Sequence, residues 1–362
     1  MAEKQGVPLI GIDGFPEAAT NRLAELWITT AEELVSVARQ EQGLQGLAEH
    51  LELPEDEVTD LVELAVAALP PEVSFAPDDV MSVGLGALDE AESEEPGAEP
   101  VSFAPLPGQV DLRNRMPPVR NQRNRGTCVA HACVAVREFL LGEQSTGGDL
   151  SEQFLYWRCK EVDGHPTANG TWIRVGMERL QNDGVCIEEL WPYNPNPISG
   201  NQGQGPPPAG AEEAAKRYTI GDGPKLQAQW VTSLREALAG GKPVAFGVPV
   251  YTYWLIEPTR SSGDVRMPLS SDHKEGGHAM CMVGYEDDPD VPGGGFFLVR
   301  NSWGTRWGRD NALEPGHGRI PYDYLSQHGL SAYTASAPDE QPQDPKSLWE
   351  QIAERFRRIF GS

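Results

Sequence analysis

Cys128 lies in Pro118-Val-Arg-Asn-Gln-Arg-Asn-Arg-Gly-Thr-Cys128-Val-Ala-His-Ala-Cys133, directly ahead of Val134–Leu141, a stretch with helical character. Thr127 or a neighbour can cap that helix, so Cys128 is expected in its first turn. There the positive end of the helix dipole favours a thiolate, the nucleophilic form of the side chain. A lone cysteine at such a place is otherwise a small buried hydrophobe, and its neighbours decide between the two. Gln122 stands six residues upstream in a turn rich in Asn, Arg and Gly. Its amide, with the backbone N–H of Cys128, would form an oxyanion hole; taken alone, a loop glutamine is a solvated polar residue. His278 follows Gly276-Gly277 at the head of a strand-like run and is the candidate base. Asn301 opens Asn301-Ser-Trp-Gly-Thr-Arg-Trp307 after another such run. An Asn carbonyl can accept from the imidazole and set its tautomer and orientation. Trp303 would shield that bond from water, and its ordinary role is core packing. The chemistry these residues spell is acyl transfer to a thiol.

The elements that must carry them divide the chain into five parts. Residues 1–70 read as a small helical unit, with Ala18, Leu23 and Leu26 on one face of Pro16–Trp27. Thr30 and Glu33 make a capping box for a second helix, a third runs near Leu44–Leu51, and a fourth follows Pro54 and carries Val58, Leu61, Val62, Leu64 and Val66. Residues 71–105 have the acidic Pro/Gly/Ala composition of a disordered linker. Their apolar, flexible stretch is Val83-Gly-Leu-Gly-Ala-Leu88, which is long enough in its tether to reach the active cleft and be cut there, or to serve as an uncut spacer. Val-Ser-Phe-Ala-Pro occurs twice, at Val73–Pro77 and Val101–Pro105.

Residues 106–335 form the largest unit, helical first and strand-rich in its last third. Strand patterns cover Pro243–Val250, Ala279–Tyr285 and Gly295–Arg300, and Asn194–Gly210 reads as a surface loop. After a linker at 336–345 comes a short amphipathic tail, 346–362. Its Leu348, Trp349, Ile352, Phe356, Ile359 and Phe360 make one apolar face.

Charge limits the partners. The formal net charge is −25, which repels nucleic acid and anionic membrane as partners of the whole chain. No run of about 18 apolar residues is present to span a bilayer, and the N-terminus lacks a signal-peptide pattern. The five cysteines show no CxxC pair, so a zinc site is not expected. The expected place is the cytoplasm with thiols mostly reduced, although Cys159 and Cys186 could pair in an oxidising setting.

The order of these landmarks resembles the papain family of cysteine peptidases. The resemblance starts at Leu106-Pro-Gly-Gln-Val-Asp-Leu-Arg113 and runs through Asn121-Gln122 to Cys128. It continues with Leu150-Ser-Glu-Gln153, Trp191-Pro-Tyr193, Gly277-His278-Ala279 with Val283-Gly-Tyr285, and Asn301-Ser-Trp-Gly-Thr-Arg-Trp-Gly308. It implies an α+β fold of two subdomains, one helical and one an antiparallel sheet, preceded here by a small all-α domain. It also implies a Cys128–His278–Asn301 triad with Gln122 in the oxyanion hole, no cofactor and no metal. Substrate-contacting positions would include Gly170 in a faint Asn169-Gly170-Thr171 strip, Gly277 and Trp303. Arg125 departs from the family, standing where a structural Cys is common. So do Val129, where Trp is usual, Gly277, where Asp or Asn is common, and an apparent insertion at Arg309–Gly318.

Leu9-Ile10-Gly11-Ile12-Asp13-Gly14-Phe15-Pro16 resembles the hairpin of helix-hairpin-helix domains. Residues 1–70 carry 14 acidic against 3 basic side chains, a net of −11, which disfavours phosphate and points to a protein partner for this unit. The C-terminal helix is also expected to dock, on its own chain or on a partner protein. The leading expectation is hydrolysis of protein or peptide substrates. The alternatives are thiol acyl transfer or amide hydrolysis on the same triad, and a non-catalytic peptide-binding protein on a peptidase fold.

Overall fold

The computed structural model describes residues 4–71, 73, 80–89, 105–142, 149–226 and 231–338. The C-terminal tail and both Val-Ser-Phe-Ala-Pro copies, except Val73 and Pro105, lie outside the described residues.

Four helices open the chain: α1 (Glu17–Ala24), α2 (Ala31–Ala38), α3 (Gly43–Leu51) and α4 (Glu55–Ala68). The capping box is formed: the Thr30 hydroxyl accepts from Glu33 N at 3.4 Å, and the Glu33 carboxylate accepts from Thr30 N at 3.2 Å. Glu55, Asp56 and Glu57 fill the first turn of α4, where acids suit the helix dipole. Two inward faces are shifted from expectation. Ala19 rather than Ala18 is buried, because α1 meets its neighbours at Ala19, Leu23 and Leu26. Val66 is 46% exposed, since Val58, Leu61 and Ala65 already complete the buried stripe of α4. α1 also ends short of Trp27, whose positive φ of 59° turns the chain away from the helix.

The larger unit has a helical layer of α5 (Cys128–Leu141), α6 (Glu152–Val162) and α7 (Ile173–Asn182). Its sheet contains β1 (Gln109–Asp111), β2 (Lys225–Leu226), β3 (Val244–Tyr251), β4 (Lys274–Asp287), β5 (Gly295–Arg300), β6 (His317–Pro321) and β7 (Ser331–Tyr333). The order is β2-β7-β3-β4-β5-β6, with β1 added on β4 and every pairing antiparallel. The period of two sorts side chains between two cores. Phe246, Val248, Met280, Met282 and Val299 face one core, shared with the N-terminal helices; Ala245, Ala279, Cys281, Val283 and Leu298 face α5. Small residues on that second face, opposite Ala130, Ala132 and Ala135 of α5, let the helix lie close to β4.

The N-terminal unit is fastened to the sheet side. Met267 N donates to Leu26 O at 3.0 Å, the Ser36 hydroxyl donates to Glu257 O at 2.6 Å, and Trp27 stacks on Phe296 at 6.2 Å. Lys4, its side chain largely buried, pairs with Glu33 at 2.5 Å and lies over the Trp27 ring. No helix among the described residues is long and apolar enough to cross a membrane.

Candidate active site

Cys128 begins α5, as the sequence predicts, but Thr127 does not cap it with its side chain. The Thr127 hydroxyl is instead 2.8 Å from the Tyr193 hydroxyl, so the cap position is spent on holding the 191–193 turn. The first-turn amides are therefore not taken by a side-chain cap, and the backbone N–H groups of Cys128 and Val129 pull the Cys128 thiol down. The backbone N–H of Ala279, next to His278 on β4, acts on the thiol in the same sense, so α5 presents Cys128 to the strand that carries His278.

His278 is fully buried, paired in register with Val248 of β3. Its Nε2 lies 2.8 Å from Asn301 Oδ1, and its Nδ1 has no hydrogen-bond partner among the described residues. Trp303 stacks on the ring with centroids 4.4 Å apart and planes at 24°. The indole thus covers the His–Asn bond while also packing against Trp254 and Trp307, so its shielding and core roles coexist. Gln122 is held at both ends. Its Oε1 accepts from the Ser302 hydroxyl at 2.6 Å, and its N–H donates to Ser302 O at 2.8 Å. Its Nε2 donates to Arg125 O at 2.8 Å and to Gly84 O at 2.9 Å. Ser302 is a positioning residue that the sequence reading missed. It stands inside the Asn301-Ser-Trp motif, but nothing in its spacing from Gln122 signals the contact.

Gly84 belongs to the linker. Residues 80–89 cross the groove between the two layers as an extended strap. Met81 N donates to Leu255 O at 3.0 Å and Gly84 N to Arg123 O at 2.9 Å. Gly86 N and Ala87 N both donate to Gly277 O, at 3.0 and 3.1 Å. Thr171 N donates to Gly86 O at 2.9 Å and Leu88 N to Thr171 O at 3.0 Å, a parallel bridge. The Gly86 backbone N–H is also among the groups that pull the Cys128 thiol down. The expected linker composition thus conceals an ordered stretch, because its bonding partners are supplied by the groove rather than by its own sequence.

Two of the candidate substrate positions, Gly277 and Gly170, border this strap, while Trp303 packs on His278. Gly277 supplies the carbonyl just named. Gly170 lies under Gly86, its own N–H bonded to the Tyr156 hydroxyl and its carbonyl to Lys160 Nζ, so its neighbour Thr171 makes the ladder bonds. Glycine is required on both sides of the contact. A Cβ on Gly84 would fall 2.0 Å from Arg125 O, one on Gly86 2.2 Å from Gly126 O, and one on Gly277 2.0 Å from Ala87 O.

Burial governs the charges. With the strap in place it pushes the Cys128 thiol up to about 11, against the opposing pull of backbone N–H donors. It pulls the His278 imidazole down to about 4, although the Asn301 bond acts the other way. Thiol and imidazole are both neutral at pH 7 in this closed arrangement.

The sequence profile of the papain family cysteine proteases matches residues 106–315. The chain belongs to the papain family. It is 28% identical over 242 residues to an uncharacterized peptidase C1-like protein of Acanthamoeba polyphaga mimivirus, covering 63% of this chain and 73% of that protein. It is 29% identical over 206 residues to peptidase 1 of Dermatophagoides farinae, covering 56% of this chain and 59% of the mite protein. Among solved structures, xylellain, a cysteine protease from Xylella fastidiosa, superposes with a TM-score of 0.59 at 27% identity, covering 72% of this chain and 98% of that one. Procathepsin B S9 of Trypanosoma congolense shares the fold, with a TM-score of 0.52 at 16% identity, covering 71% of this chain and 87% of that one. The α+β class and two-layer papain architecture expected from sequence are therefore those of the protein.

The departures of this papain-family chain have structural reasons. Arg125, 2% exposed, replaces a cross-linking Cys with a set of hydrogen bonds. Its guanidinium donates to Gln153 Oε1 at 2.7 Å, Asn194 O at 2.6 Å and Gln202 O at 2.8 Å, and lies over Tyr156 and Tyr193. It ties the turn before Cys128 to the 194–202 loop. Arg125→Ala should cost roughly 3 kcal/mol, because one buried and two half-buried acceptors lose their donor; urea unfolding measures it, and a loss under 1 kcal/mol would deny the staple. Val129 is fully buried, facing Gly176 of α7. Gly277 leaves room for the strap. The segment 309–316 turns back to β6, where Asn301 N donates to Gly316 O at 2.9 Å and so fixes the Asn301 end of the groove. All five cysteines are buried free thiols, Cys159 and Cys186 included.

Proposed function

We propose that this papain-family cysteine peptidase hydrolyses peptide bonds of protein substrates with Cys128 as nucleophile, His278 as acid and base, Asn301 orienting the imidazole and Gln122 binding the oxyanion. One observation carries the reading: Gln122 Nε2 already holds a backbone carbonyl, Gly84 O, at 2.9 Å within the groove that contains Cys128 and His278. When the groove opens to water the desolvation that keeps the pair neutral is relieved. The proton of the thiol then passes to His278 Nδ1, the nitrogen that Asn301 leaves unengaged. The thiolate attacks the scissile carbonyl carbon, forming a C–S bond and an oxyanion that Gln122 and the Cys128 N–H stabilise. His278 returns the proton to the amine as the C–N bond breaks. Water, deprotonated by His278, then cleaves the thioester and restores the thiol.

An extended ten-residue piece of the chain's own backbone fits this groove, which favours peptides over a small amide as substrate. Gln122→Ala should lower kcat about a hundredfold, the usual loss for one oxyanion donor. Asn301→Ala should leave weak residual activity, because it orients rather than reacts. Steady-state kinetics on a fluorogenic peptide tests both; equal kcat in Gln122→Ala and wild type would contradict the oxyanion role.

The strap is further proposed as the chain's own inhibitor. The Leu85 carbonyl, adjacent to the Gly86 N–H at the sulfur, points its oxygen at Asn169 Nδ2 (3.2 Å), while Gln122 holds the carbonyl of Gly84. The carbonyl next to the nucleophile is thus not the one in the hole, and this register favours occlusion over cutting in the linker. The N-terminal unit is proposed to act in cis, since it docks on the sheet side and its Ser36 and Arg39 border the same depression as Val80. Five unpaired thiols fit a reducing compartment such as the cytoplasm.

A further inference from the structure

The strap marks the path of the groove from end to end. Its residues pass Gln122 at Gly84, the Cys128 sulfur at Gly86, and Thr171 at Ala87 and Leu88. At the Gln122 end, Val80–Val83 run along a depression of about 760 Å³. Its charged lining is cationic: Arg123, Arg260, Arg306 and Arg309 border it, and no acidic side chain among the described residues does. Arg260 is held by Glu257 at 2.8 Å, and Arg309 by Asp310 at 2.9 Å and Glu257 at 3.4 Å. Arg123 and Arg306 are exposed and have no carboxylate partner among the described residues. Arg123 directly follows Gln122 with a positive φ of 56°, a strained turn that carries the side chain away from the hole. The chain as a whole carries −25, so four arginines at one end of its binding groove run against the general field.

We infer that this arginine-lined depression is a subsite for acidic side chains of the protein substrate, on one side of the scissile bond. The inference rests on the peptidase reading and adds a substrate class to it. The strap residues that line the depression are one to four positions from Gly84, whose carbonyl Gln122 holds, which sets the distance from the scissile bond at which acids should be selected. Among the described residues the strap brings only Val80, Met81, Ser82 and Val83 there, none of which offers a carboxylate to Arg123 or Arg306, so an acidic peptide gains contacts that these four residues do not make.

The test uses internally quenched peptides with one common cleaved centre and three Glu, three Gln or three Lys at one flank, then at the other. They are assayed on the full chain and on its Gly86→Val variant, which vacates the groove. At one flank only, kcat/KM for the Glu peptide should exceed that for the Lys peptide about tenfold at low salt and by far less at 0.5 M NaCl, as exposed charge pairs behave. Arg123→Glu/Arg306→Glu should reverse the order. Equal values for Glu, Gln and Lys, or an order the double substitution leaves unchanged, overturn the subsite and show the arginines to be solvated surface charge only. If the Gln peptide is not cleaved at all, the peptidase reading fails instead. Fluorescence anisotropy of the same peptides on Cys128→Ala/Gly86→Val then decides the subsite alone, tighter Glu binding supporting it and equal binding ending it.

Discussion

Cys128→Ala is expected to abolish peptide hydrolysis, with a fall of roughly 10⁴-fold or more, and His278→Ala to fall as far. Residues that act as one unit lose nearly everything when either is removed, and the double variant should be no worse than each single one. The geometry gives the reason. The sulfur sits on the amide end of α5 beside the Ala279 N–H, while His278 is fixed from behind by Asn301 and covered by Trp303. No other cysteine has this company: Cys133, Cys159, Cys186 and Cys281 are buried thiols, and burial pushes Cys281 up to about 12. Progress curves on a fluorogenic peptide measure the loss, and retained activity in Cys128→Ala would remove the nucleophile from the account.

Gly86→Val is expected to raise the initial rate on that peptide about 30-fold over the full wild-type chain. The new Cβ would lie 2.2 Å from Gly126 O, a backbone atom that the Arg125 staple holds in place. Overpacking of this kind costs about 1–3 kcal/mol, and each 1.4 kcal/mol moves the closed-to-open ratio tenfold. The closed form alone pays this cost, because in the open form the strap touches neither wall. Deleting residues 83–88 should release activity to a similar degree without any new side chain, which separates expulsion of the strap from damage by valine. Protonation acts in the same direction at low pH. The buried imidazole is pulled from its ordinary 6.5 down to about 4, so the closed form binds fewer protons than the open one in that window. Closure is therefore stabilised above the ordinary value and weakened as pH falls from about 6.5 towards 4.

Much of the site is legible in the sequence because its chemistry depends on residue type in fixed local settings. Cys128 at a helix start, His278 after two glycines and Asn301 before a tryptophan each carry a local signal, and strand alternation places the last two on a sheet. The Thr30–Glu33 box and the Pro54 start of α4 are likewise local. What the sequence conceals is long-range. Ser302 holds Gln122 across 180 positions, and Arg125 gathers acceptors from 28 to 77 positions away. Thr127 looks like a cap and is diverted by Tyr193. The Gly84-Leu85-Gly86 spacing reads as flexibility, whereas its cause is close approach to the 125–126 backbone, a wall that no local pattern in the linker announces. The same holds for Gly277, a departure from the family pattern that makes sense only beside Ala87.

The most direct measurement is the rate at which a thiol-directed epoxide adds to the intact protein, read by mass spectrometry on wild type, Gly86→Val and Cys128→Ala. A single adduct on Cys128 is predicted in the first two, forming about 30-fold faster in Gly86→Val by the arithmetic given for expulsion, and none in Cys128→Ala. Equal rates in wild type and Gly86→Val, or an adduct of the same yield in Cys128→Ala, would contradict a Cys128 nucleophile sealed by its own linker.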